Sequence, residues 1–159
     1  MKSVSLAFGA AAALLMGAAA SAQTFDFFLD GQQEAPMPVI TPGSGVGRLV
    51  VNPITRDYHL AVAYSGLIGS VTNNHIHRAP PGVAGPVVVS LPIPPANPID
   101  FNGNFSQANY ADLLAGNLYV NIHSSAFPGG EIRGQIVPAP AGAALLGLGG
   151  LVATRRRRR

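Results

Sequence analysis

The feature that most constrains this chain is the rhythm of its middle: short apolar runs of period two, each cut off by proline or glycine. Tyr58–Ser65 (YHLAVAYS) shows it well. Tyr58, Leu60, Val62 and Tyr64 fall on one face and His59, Ala61, Ala63 and Ser65 on the other, as in a half-buried strand. Comparable runs are TFDFFL (24–29), GVGRLVV (45–51), VTNNHIH (71–77), GPVVVSL (85–91), LYVNIH (118–123) and GEIRGQIV (130–137). Turns such as TPGSG, NPITRD and RAPPGVA divide them. The stretch PIPPANPID (92–100) is expected to be a loop, because proline cannot donate to a strand ladder. In SQANYADLLAGN, Ser106 can cap a short helix that places Tyr110, Leu113 and Leu114 near one face and ends at Gly116. The pattern predicts an all-β fold, one antiparallel sandwich or barrel with a single short helix, and no repeat of fixed period.

Both ends read as processing signals. Lys2 precedes the apolar stretch Val4–Ala19, and Ala20-Ser21-Ala22 gives the small-x-small pattern that a signal peptidase accepts. Residues 1–22 are therefore expected to be a signal peptide, cleaved between Ala22 and Gln23. At the other end Ala141–Ala153 is an uncharged run of 13 residues followed by Arg155–Arg159. It is shorter than the roughly 20 residues of a comfortable transmembrane helix, and its basic end fits a tail held on the cytoplasmic side. A hydrophobic helix is expected at each end, flanking the sandwich.

The basic balance of the whole chain, +3, belongs to these ends. Between them stand four arginines (Arg48, Arg56, Arg78, Arg133) against seven acidic residues, a net charge of −3. A nucleic-acid-binding surface on the folded part is thus not expected. The absence of cysteine excludes disulfides, thiolate metal sites and a cysteine nucleophile.

Alternation also sorts the polar residues. On 118–123, Leu118, Val120 and Ile122 oppose Tyr119, Asn121 and His123; on 73–77, Asn73, His75 and His77 oppose Ile76. On 130–136, Glu131, Arg133 and Gln135 oppose Ile132, Gly134 and Ile136. With the aliphatic sets inward, His75, His77, His123, Glu131 and Arg133 are expected on a partly solvated outer face, Glu131 and Arg133 as a surface ion pair. Two histidines at i and i+2 stand about 6.6 Å apart along a strand, close enough for neutral imidazoles to converge on one ion. A third from another strand would complete a trigonal or open tetrahedral set suited to copper or zinc. Histidines at strand ends also commonly hold turns by bonding a backbone carbonyl. Glu34, Asp57 and Asp100 stand in turn-like contexts where backbone capping is the expected role.

Assembled in order, these motifs resemble the CHRD (chordin) domain over nearly all of 24–137. LDGQQEAPMPVITPGSGVGRLVV is similar to the family's opening at Leu29, Gly31, Glu34, Pro36, Gly45 and Gly47. HIHRAPPGVAGPVVVSL and LLAGNLYVNIHSSAFPGGEIRGQI resemble its middle and closing blocks, with Arg78 where glycine is usual and Ser124 where threonine is. The resemblance implies an immunoglobulin-like β-sandwich related in outline to copper,zinc superoxide dismutase, in which His75, His77 and His123 match copper ligands. It does not imply dismutase chemistry: no bridging histidine, zinc loop or disulfide is present. Animal members of the family sit in extracellular proteins that bind growth factors. The tail Val137-Pro138-Ala139-Pro140, apolar run and arginines (138–159) resemble a PEP-CTERM sorting signal, with Ala139 where glutamate is commonest. That implies a Gram-negative exporter, an exosortase acting on a transient inner-membrane tether, and a periplasmic, cell-surface or extracellular destination.

Three functions follow: a surface-sorted binding or matrix module that meets an extracellular partner or polysaccharide, a copper- or zinc-binding exported protein, or an enzyme. The chain has no Gly-x-Ser-x-Gly and no His-Glu-x-x-His, so no enzyme is expected.

Overall fold

The computed structural model describes residues 21–93 and 95–138. The body of the expected signal peptide, most of the expected sorting tail including Ala139 and Pro140, and both flanking helices lie outside the described residues.

Eight strands form in chain order: β1 (Gln23–Asp30), β2 (Ser44–Val51), β3 (Asp57–Ser65), β4 (Val71–Arg78), β5 (Val87–Ser90), β6 (Ile99–Asn104), β7 (Leu118–Ser124) and β8 (Ile132–Ile136). A 3-10 turn, Gly31–Gln33, follows β1, and the helix α1 (Gln107–Leu114) precedes β7. All strands join one antiparallel sheet in the order β5-β4-β7-β8-β1-β2-β3-β6.

The sheet curls at its middle. β1 and β8 share a single register pair, Asp30 opposite Arg133, so the halves on either side fold toward each other. Phe25, Phe27 and Leu29 from one half and Ile76, Val120 and Ile122 from the other belong to the same buried cluster. Each such side chain contributes roughly 1.5–3 kcal/mol on burial. The core therefore lies between two halves of one sheet, a sandwich-like arrangement in keeping with the all-β antiparallel expectation. Closure needs a bare backbone at Gly134: a Cβ there would stand 2.7 Å from the Phe28 carbonyl oxygen and the Leu29 side chain.

α1 forms where expected. Ser106 accepts a bond from the Asn109 amide at 3.1 Å, and Gly116 follows the helix with φ of +73°. Leu113 is fully buried, but Leu114 faces out rather than sharing its side.

The proline-rich stretch is not loop throughout. Its last residues, Ile99 and Asp100, open β6, which pairs with β3 through Val62 opposite Ile99. Pro98 stands just outside the strand, and β6 is an edge strand bonded on one side only, so the prolines take nothing from the ladder. Asp100 consequently pairs with His59 across strands at 3.0 Å instead of capping a turn.

Candidate metal centre

β4 and β7 are neighbours, in a register that sets Asn73 opposite His123, His75 opposite Asn121 and His77 opposite Tyr119. Alternation along both strands then puts His75, His77 and His123 on one face, as the sequence predicts. Their rings lie 5.1 to 5.8 Å apart, centre to centre. One ring nitrogen from each lies within 4.8 Å of one from both others.

The hydrogen bonds fix which nitrogens are free. His77 Nδ1 lies 2.9 Å from the Gly85 carbonyl oxygen, and His123 Nδ1 lies 2.9 Å from that of Pro128. A carbonyl only accepts, so both Nδ1 atoms carry the proton and both Nε2 atoms keep a lone pair. His123 Nε2 lies 3.2 Å from His75 Nδ1. His77 Nε2 is buried with no partner, an arrangement that costs free energy unless something fills it. The two sequence readings, ligand and turn-holder, therefore describe the same residues through different nitrogens: one nitrogen holds a loop, and in doing so fixes the tautomer that offers the other.

The donor set fits a metal ion. Zinc and copper bind imidazole nitrogen at about 2.0–2.1 Å, so two ligands of one ion stand at most about 4.2 Å apart. The spread of up to 4.8 Å needs only a small inward movement, and His75, the half-exposed member, has room for it. Burial, reinforced by the neighbouring imidazoles, pushes the pKa of His75 down; burial does the same for His77 against its Gly85 bond. Both rings then favour the neutral form that binds metal. Three imidazole nitrogens without carboxylate or thiolate suit copper or zinc over magnesium or calcium.

The face around the histidines is less solvated than the sequence suggests: His75 is partly exposed, but the neighbouring strands are covered. Every residue of β7 and β8 is buried, including Tyr119, Asn121, Arg133 and Gln135. The β4–β5 loop and the segment after β1 cover them. Arg133, 1% exposed, stacks its guanidinium 3.5 Å over Tyr119 and donates to the carbonyls of Val83 and Pro80 at 2.8 and 3.0 Å and to Gln135 Oε1 at 2.7 Å. The Gly85 amide donates to the Tyr119 hydroxyl at 3.1 Å. The loop that supplies the His77 carbonyl is thus clamped from below by Arg133 and Tyr119.

Glu131 and Arg133 do not pair. Glu131 precedes β8, and its carboxylate accepts from Thr41 Oγ1 at 2.6 Å, from the Ile68 amide at 2.7 Å and from Ser124 Oγ. Ser124 alternates with His123, so this carboxylate serves the side away from the histidines. Burial opposes its charge, but these hydrogen bonds outweigh that and lower its pKa. Glu131 ties three segments together and does not belong to the site.

Glu34 does cap the Gly31–Gln33 turn, its amide donating to the Gly31 carbonyl, but the sequence did not foretell its side chain, which is buried over the polar layer with Oε2 3.4 Å from Asn121 Nδ2 and Oε1 without a partner. Burial raises its pKa to about 7, against the pull of Asn121 and Arg133. Gly130 seals the pair: a Cβ there would come 2.6 Å from the Asn121 amide and 2.8 Å from Glu34 Oε1.

The family model of the CHRD domain matches residues 25–136. The chain belongs to the CHRD family. The match runs from within β1 to the end of β8, so all but the first two residues of the sheet, and all three histidines, lie within it. No curated protein matches the chain, and no solved structure does.

Proposed function

We propose that this CHRD domain is a non-enzymatic module that binds one copper or zinc ion through His75, His77 and His123. The observation that carries the reading is the buried, unpartnered Nε2 of His77 beside two further imidazoles whose nitrogens converge with it within 4.8 Å. His77 and His123 would bind through Nε2, oriented by the Gly85 and Pro128 carbonyls, and His75 would give up its bond to His123 Nε2 to offer a ring nitrogen to the ion. A bound ion supplies a Lewis-acidic centre at the rim of the sheet. The likeness to an immunoglobulin-like or superoxide-dismutase-like sandwich is part of the same proposal, supported by the curled antiparallel sheet.

The test is metal retention. Purified protein is incubated with Cu(II) or Zn(II), desalted, and its metal counted by mass spectrometry. About one ion per chain is expected, lost in His75→Ala and His123→Ala. Stoichiometry well below that in the parent protein would defeat the proposal.

We further propose export and surface sorting by signal peptidase and an exosortase-type enzyme, toward an extracellular partner or polysaccharide. The support is the sequence of the two ends, together with β1 opening at Gln23, the first residue after the expected cleavage point. Deleting Val137–Arg159 should move the protein to the soluble secreted fraction; unchanged fractionation would count against sorting.

A further inference from the structure

The Gly85 carbonyl fixes the tautomer of His77, yet the loop that carries it has little of its own to hold it in place. Pro80–Ala84 are exposed, and Gly82 has a φ of +76°. The hold comes from beneath. Gly85 is bound through both of its backbone groups: its amide donates to the Tyr119 hydroxyl at 3.1 Å, and its carbonyl accepts from His77 Nδ1 at 2.9 Å. Only glycine can come this close, because a Cβ there would stand 1.9 Å from the Arg78 carbonyl oxygen.

The rings are aligned as well. Tyr119 stands opposite His77 on one side and Gln135 on the other, with β7 running between β4 and β8. Its ring stacks on the His77 imidazole, 5.0 Å between centres and 13° between planes. The Arg133 guanidinium lies 3.5 Å from the same ring, and Arg133 comes from β8. The phenol is therefore held between the cation and the imidazole. Tyr119 reaches His77 twice, by ring face directly and by hydroxyl through Gly85. The first contact sets the plane of the imidazole and the second sets the partner of Nδ1. What remains is Nε2, buried and without a partner. A tyrosine that merely filled this space would need no hydroxyl.

We propose that Tyr119 is a positioning residue for the metal centre, aiming His77 Nε2 at the ion through the Gly85 peptide. Such a role rests on metal binding by His75, His77 and His123, but its first link, the His77 tautomer, is present without metal.

Tyr119→Phe in the full chain keeps the ring and removes only the hydroxyl. In the metal-free parent at alkaline pH, long-range nitrogen–proton NMR should show His77 as one tautomer, protonated at Nδ1. In Tyr119→Phe the two tautomers should mix, and the dissociation constant for Zn(II), read by competition with a chelator, should rise about tenfold. That is the low end of the range for outer partners of a ligand, since the hydroxyl acts through one intervening residue. Tyr110→Phe breaks a comparable bond of 2.8 Å, to Gln23, and should change neither reading. A Tyr119→Phe protein with the parent's tautomer, or with no greater loss of affinity than Tyr110→Phe, would overturn the proposal. A parent that binds no zinc would defeat the metal reading, whereas the tautomer comparison would still decide whether Tyr119 sets His77. Should Tyr119→Phe lose its fold by circular dichroism, the parent decides. One His77 tautomer with a Gly85 amide protected from hydrogen exchange supports the proposal; mixed tautomers, or a Gly85 amide exchanging like that of an unstructured peptide, overturn it.

Discussion

The two halves of this sheet use their second faces in opposite ways. On the β1-β2-β3-β6 half the inner face packs into the core and the outer face meets solvent, with Asp26, Phe28 and Arg48 pointing outward. On the β4-β7-β8 half both faces of β7 and β8 are buried: aliphatic side chains inside, and outside a polar layer of Asn121, His123, Arg133 and Gln135 roofed by loops. The same period-two alternation thus produces a solvated surface in one place and a sealed polar interior in the other. The difference lies in the coverings. Where Pro-Gly loops offer carbonyls, as at Pro80, Val83, Gly85 and Pro128, polar strand residues can be buried with partners, and a few of their atoms are left free.

Paired arginines give the sharpest way to break this comparison. Arg133→Ala strips two loop carbonyls and the buried Gln135 of their donor and removes the positive charge facing Glu34, so it should destabilise the fold by about 3–5 kcal/mol in urea denaturation. Arg133→Lys should not restore it, because one ammonium cannot reproduce the fork that meets two carbonyls and an amide. Arg48→Ala, on the exposed half, should leave the denaturation midpoint unchanged. Similar losses for the two arginines would erase the distinction.

Glu34 adds a pH signature. Its carboxyl keeps a proton in the fold up to about pH 7, whereas its ordinary pKa is 4.5. The native state therefore binds more protons between those values, and this contribution to stability fades as pH rises through that window. Glu34→Gln, which donates permanently, should be more stable than the parent at pH 8 by on the order of 3 kcal/mol and close to it at pH 4. Comparing variant with parent cancels His75 and His77, whose lowered pKa values act the opposite way. A gap independent of pH would show that Glu34 is charged throughout.

A smaller effect is expected at Glu131. Thr41→Val removes one of its donors and should cost about 1.5–3 kcal/mol without changing metal retention, because the carboxylate does not face the histidines. Loss of metal in this variant would place Glu131 back beside the site.

How far the sequence foretold all this follows from the same contrast. The inward set of β3 was legible because alternating Tyr58, Leu60 and Val62 needs only one partner layer. The shared face of His75, His77 and His123 was legible too, since it depends on strand periodicity alone. The buried state of Arg133 was not, because its roof is made of backbone carbonyls, which leave no side-chain pattern; nor was that of Glu131, whose donors at Thr41, Ile68 and Ser124 come from separate segments. A signal was present nonetheless. The polar residues of β7 and β8 are tyrosine, asparagine, histidine, serine, arginine and glutamine, all able to make directed bonds, and none is lysine. The strand β6 was hidden because an edge strand tolerates proline at its door.

X-ray absorption on the zinc-loaded protein tests the central claim most directly. The account predicts a first shell at about 2.0–2.1 Å with the multiple scattering of three imidazoles, reduced to two in His77→Ala. A shell of oxygens, or a parent spectrum indistinguishable from that of His77→Ala, would show that these three histidines do not hold the metal.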